Sequence, residues 1–154
     1  MKNKKYNRGV TVGAFDLCHA GHMLMFKECK GICEYLIVGL QDDPSIDREY
    51  RIEEKEGQIK NSPVMSLEER KVILESVRYI DEIFTYTTEA DLFEKLKKLD
   101  YDVRILGADW EGKRYTGWDL PHTPYFNSRS HSYSTTELRN RVYEQERKRR
   151  DSSS

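Results

Sequence analysis

RGVTVGAFDLCHAGH, running from Arg8 to His22, decides how the rest of the chain is read. Its first part, Arg8 to Gly13, is a β-branched run that predicts a strand. Gly13 ends it, letting the chain turn and letting a ligand approach the backbone closely. A helix is expected from Gly21 to Lys30, beginning near Ala20, so its free N–H groups point into the space beyond the strand. Such a helix end attracts phosphate. His19 and His22 are three apart and can face the same way around the first turn. Two imidazoles there suit charge developing on a transferring phosphoryl group.

Outward from this stretch, strands and helices alternate. Glu34–Leu40 predicts a second strand. Ser66–Arg78 predicts a helix opening with a Ser66/Glu69 capping box. A strand is expected over Ile80–Tyr86, a helix over Thr88–Leu99, a strand over Asp102–Gly107, a short one over Thr123–Phe126, and a last helix over Ser134–Arg147 with Ser134 as cap. This order predicts an α/β fold with a parallel sheet and right-handed crossovers. The site then belongs at the carboxyl ends of the strands, in the loops beginning at Gly13 and Gly107.

The chain has 154 residues, which suits one domain, expected over residues 1–146. Asp42–Lys60 carries seven acidic and four basic residues. Residues 41–61 are therefore expected to form a mobile insertion over the site. Residues 147–154 are expected to be a disordered, basic, Ser-rich tail. Hydrophobic residues make up 37% and charged residues 34%, a thin core under a solvated surface. No stretch approaches the roughly 20 apolar residues of a membrane span. A signal peptide is not expected behind the polar N-terminus. The net charge of −1 argues against bulk nucleic-acid binding. Cys18, Cys29 and Cys33 are read as free thiols in a reducing cytoplasm.

The pattern G-x-F-D-x-x-H-x-G-H in Gly13–His22 resembles the signature of the nucleotidyltransferase superfamily with the HxGH motif. The resemblance implies a Rossmann-like three-layer sandwich with a mostly parallel sheet. It implies that His19 and His22 contact nucleotide phosphates and steady the transition state, with the substrate's own phosphate as nucleophile. Gly13, Ala14, Phe15, Asp16 and Gly21 would line the nucleotide. Ala14 departs from the Thr common in the family, so backbone N–H groups must replace a hydroxyl. Asp16 would orient a histidine or help hold a metal.

Three further segments are similar to cytidylyltransferases acting on phosphoalcohols. Lys60–Arg70 resembles a segment whose lysine meets the phosphates and whose helical arginine supports the site; Lys60 and Arg70 match. Arg70 also stands on an apolar stripe with Leu67, Leu74 and Val77, where a charge needs a partner. That partner is expected to be an acidic neighbour, a phosphate or a site carboxylate. Gly107–Lys113 looks like the G-x-D-W-E-G-K loop of glycerol-3-phosphate cytidylyltransferases, which implies Gly107, Asp109 and Trp110 at the cytosine; an acidic acceptor suits its amine and Trp a stacking face. The same residues nearly spell a Walker A loop. Arg114 stands where that loop needs Ser or Thr, and Asp109 and Glu111 would oppose phosphate, so no P-loop is expected. Arg129–Thr136 resembles R-x-x-x-x-S-T-T/S, implying Arg129 at the triphosphate with Ser134, Thr135 and Thr136 nearby. His131, Ser132 and Tyr133 depart from that pattern, His131 replacing an acidic residue.

These matches imply transfer of CMP from CTP to a small phosphorylated alcohol, with glycerol 3-phosphate as the best match, Mg²⁺ accompanying CTP, and a homodimer. Choline phosphate, ethanolamine phosphate, and phosphorylated amino acids or sugar alcohols stay open as acceptors. A quaternary ammonium would want an aromatic cage, for which Tyr115, Trp118, Tyr125 and Phe126 are candidates. An adenylyltransferase and a non-catalytic nucleotide-binding protein are the competing readings.

Overall fold

A computed structural model describes residues 4–46 and 62–153. Five strands form one sheet: β1 (Tyr6–Gly13), β2 (Cys33–Gln41), β3 (Glu82–Tyr86), β4 (Val103–Leu106) and β5 (Thr123–Phe126). The order is β3-β2-β1-β4-β5, and every neighbouring pair is parallel. The chain winds outward from β1 to one edge, then returns to the other side of β1 at β4. That reversal opens a crevice at the carboxyl ends of β1 and β4.

Side-chain alternation along the strands builds a core on each face. Leu36, Val38 and Leu40 of β2 join Val103 and Ile105 of β4 on one face, under Phe26 and Cys29 of α1 (Ala20–Ile32) and Leu74 of α2 (Leu67–Glu75). Val10 and Ile37 point the other way, against Leu92 and Leu96 of α3 (Glu89–Lys98). Helices thus cover both faces, giving the expected α/β three-layer arrangement, and the sheet is wholly parallel. Such doubly covered strands read as continuous apolar runs, as in Glu34–Leu40. Both thiols of Cys29 and Cys33 are buried and free.

Two expectations change. The last helix, α4 (Thr135–Ser152), runs through residues that were read as a disordered tail. It has no fully buried residue, though Thr135, Leu138 and Arg139 near its start are half-buried. Along its exposed end, ion pairs one turn apart add modest support: Glu144 with Arg147, Glu146 with Arg149 and Arg150, and Arg147 with Asp151. The other change concerns α2, which stops at Glu75, so Val77 lies beyond its stripe. Residues 47–61 of the expected insertion, including Lys60, lie outside the described residues.

Candidate active site

A cavity of about 360 Å³ lies at the crevice. Its lining includes Phe15, His19, Gly21, His22, Gly107, Asp109, Arg129, Ser134 and Thr135. Three segments apart in sequence therefore meet at one place. Gly13, Ala14, Asp16, Arg70, Trp110 and Thr136 are not in that lining.

The two histidines are built into the start of α1. His19 is its N-cap, in extended backbone, and its Nδ1 accepts the Gly21 N–H at 3.0 Å. His22 returns the bond, its Nδ1 accepting the His19 N–H at 3.1 Å. This is a capping box made from two imidazoles. Their ring centres are 4.0 Å apart. Because each Nδ1 accepts from a backbone N–H, each neutral ring carries its proton on Nε2. His19 Nε2 lies 3.1 Å from Thr135 Oγ1, which joins the start of α4 to the start of α1. Burial pulls His22 down to about 4, with His19 adding to the effect against a lift from Asp16. Burial, His131 and Arg129 also hold His19 below the ordinary histidine value. Both rings are therefore neutral Nε2–H donors at neutral pH, beside the positive end of a helix dipole.

Gly21 is required by this arrangement. A Cβ there would come 2.8 Å from His19 Cε1 and 2.9 Å from His131 Cε1. The preceding loop is strained, with Phe15 and Leu17 both at a φ of 49°. Phe15 is driven into the core against Phe26, its ring edge-on to His22 at 5.6 Å.

Asp16 is committed to backbone. Its two carboxylate oxygens accept the N–H groups of Val64 at 2.8 Å and Met65 at 3.0 Å, and Arg139 stands 3.7 Å away. It ties the loop after β1 to the entrance of α2. No group of three or more His, Cys, Asp or Glu suited to a metal occurs among the described residues. Arg70 is likewise committed. It is 2% exposed, and its guanidinium donates to the carbonyls of Met65, Ala14, Gln41 and Asp42. Its hydrogen-bond partners are the backbone carbonyls of three chain segments, and the carboxylates of Asp16, Asp42 and Asp43 favour its charge from nearby against the cost of burial.

Arg129 lines the cavity while its Nη2 holds the Tyr133 carbonyl at 3.0 Å. Ser134 caps α4, accepting the Glu137 N–H. Beyond Gly107 a single 3₁₀ turn, Ala108–Trp110, presents Asp109 to the cavity. No long helix follows it, as the Walker A reading would require.

Several contributors were not singled out from sequence. Thr11 and Asn127, both buried polar residues, line the cavity with Ser128, beside His131 and Tyr133, which the sequence marked only as departures from the family pattern. Glu28 of α1 accepts the Ser128 N–H and Oγ–H and the Tyr125 Oη–H, fixing the stretch that leads into Arg129. That bond pushes the Tyr125 phenol up to about 12. A helical glutamate in an amphipathic pattern carries no signal for such a contact. The four candidate cage aromatics do not converge. Tyr115 and Trp118 line a separate hollow with Phe93 and Glu89, whereas Tyr125 packs with the α1-side core. Trp118 is already faced by Arg114, 4.5 Å from its ring centre.

Known proteins resemble this chain along most of its length. Glycerol-3-phosphate cytidylyltransferase of Staphylococcus aureus is 31% identical over 136 residues, spanning 88% of this chain and 95% of that protein. The Bacillus subtilis protein of the same name is 29% identical, spanning 86% and 95%. FAD synthase of Thermococcus sibiricus is 32% identical, spanning 71% and 68%. A solved lipopolysaccharide core biosynthesis protein from Thermoplasma volcanium shares the fold, with a TM-score of 0.58 at 20% identity, covering 82% of this chain and 99% of its own. The model of the family described as cytidylyltransferase-like matches residues 10–141, from the middle of β1 into α4. With the imidazole pair at the sheet's switch point and a match of that extent, the chain belongs to the cytidylyltransferase-like family and is a nucleotidyltransferase.

Proposed function

We propose that the enzyme transfers CMP from CTP to a small phosphorylated alcohol, with glycerol 3-phosphate as the first candidate. An acceptor phosphate oxygen bonds to the α-phosphorus as the bond from that phosphorus to the β-bridging oxygen breaks, releasing pyrophosphate. The observation that carries the reading is the pair of neutral Nε2–H donors capping α1 in a cavity shared with Arg129 and Thr135. Fixed donors aimed at developing phosphoryl charge need no reorganisation during reaction. Lys60 is proposed to add a further cation. Asp109 in the cavity supports a base with an exocyclic amine. Mg²⁺ is proposed to enter on the phosphates of CTP.

Pyrophosphate release with CTP, ATP, GTP and UTP against a panel of phosphorylated acceptors tests this. The expected result is release with CTP and glycerol 3-phosphate. Release with ATP alone overturns the base assignment, and the likeness to an FAD synthase makes that arm informative. Release with CTP and another acceptor corrects the alcohol only.

A homodimer is also proposed. Leu17, Val64, Val142 and Tyr143 line an apolar hollow of about 620 Å³ whose rim carries Arg139, Arg147 and Arg150 beside Glu146 and Asp151. Both charge signs on one patch suit a two-fold contact with a second copy. Sedimentation is expected to give a dimer mass that Val142→Glu reduces to a monomer; a monomeric wild type overturns it.

A further inference from the structure

His131 belongs to no part of the chemistry so far, yet it lines the cavity. Its ring and that of His19 both pack against Gly21: an added Cβ there would meet the Cε1 atoms of both, at 2.9 and 2.8 Å. Its Nδ1 accepts the Tyr133 N–H at 3.1 Å, and its ring stacks on Tyr133 at 5.2 Å between centres. The same reasoning as for His19 and His22 puts the neutral ring's proton on Nε2. Among the described residues no hydrogen bond to that Nε2–H occurs. The ring is only partly buried and is held by two contacts. It is therefore an oriented donor with one unused N–H, beside the helix end that already presents His19.

We propose that His131 is a third imidazole of the reaction centre, donating its Nε2–H to a phosphate oxygen held over the N-terminus of α1. This rests on the reading above that phosphate occupies this cavity. It gives the loop before α4 a second group for the leaving pyrophosphate, next to Arg129. The contact is between a neutral donor and an anion, and a bond of that kind makes a difference of about tenfold or more in affinity.

Two substitutions separate this role from a merely structural one. Asn at 131 can still accept the Tyr133 N–H through Oδ1 but has nothing at the position of Nε2. Gln reaches the position of Nε2 with an N–H and gives up the loop bond. Inorganic pyrophosphate binding, measured by calorimetry, is the readout, because it depends on neither base nor acceptor. The expected result is affinity near wild type for His131→Gln, and about tenfold weaker binding for His131→Asn and His131→Ala. Wild-type affinity in His131→Asn with loss in His131→Gln would assign the residue to holding the loop and overturn the inference. Unchanged affinity in all three variants overturns it as well, while leaving the transferase reading standing if wild type still turns over CTP. A wild type that binds neither pyrophosphate nor CTP removes the reading itself, and the inference with it.

Discussion

His19→Ala and His22→Ala are each expected to lower pyrophosphate release by about 10²–10³-fold, the usual loss when one preorganised donor to transition-state charge is removed. Each Ala variant also loses half of the cap on α1, which costs about 1 kcal/mol of stability. His19→Asn and His22→Gln separate the two effects. Asn is a good N-cap, and Gln is an ordinary partner at the third helical position, so both keep the fold while removing an imidazole. Near-normal turnover in these variants would remove the histidines from the mechanism.

The same pair predicts how stability follows pH. His22 titrates at about 4 in the folded chain and near 6.5 when unfolded, so the unfolded chain binds the extra proton first. The contribution of its neutral form is fully present above pH 6.5 and is lost as pH falls toward 4, about 3 kcal/mol in all. His22→Gln should flatten that part of the pH profile measured by denaturant unfolding. An unchanged slope would mean that His22 is not held neutral by burial.

Arg70→Met is expected to cost at least about 3 kcal/mol, because it leaves four backbone carbonyls without their donor in a site that is 2% exposed. For a chain of this size the melting temperature should fall by roughly 6–12 °C. Arg70→Lys should recover only part of this, since one ammonium cannot span carbonyls that a planar guanidinium reaches together. The carbonyls belong to the ends of β1 and β2 and to the entrance of α2, so turnover should fall with the fold. Unchanged thermal stability with weakened CTP binding would reverse this and return Arg70 to the nucleotide.

The comparison of Arg70 with His19 shows what can be read before folding. His19 and His22 announce themselves because local spacing puts both at one helix start, and the same start orders their geometry. Arg70 was legible as a buried charge, since Leu67 and Leu74 share its stripe, but its partners were not. They lie 28, 29 and 56 residues away for the Asp42, Gln41 and Ala14 carbonyls, and no local pattern encodes which loop closes over a helix face. Asp16 is the same case: nothing local announces that its oxygens meet the amides of Val64 and Met65, 48 and 49 residues away. The α4 end failed differently. Its Ser-rich composition suggested disorder, while its Glu–Arg spacing of three and four suits a helix.

By itself the sequence determined the alternation of strands and helices, the parallel sheet and the four family-like segments, because hydrophobic period, caps and motif spacing are local properties. Only the tertiary structure decided which of those segments meet. The reversal at β1 and β4 brings the starts of α1 and α4 together, sets Thr135 on His19 and swings His131 over Gly21. Those contacts join residues more than a hundred positions apart, and such pairs are selected by the packing of whole elements rather than by the residues between them.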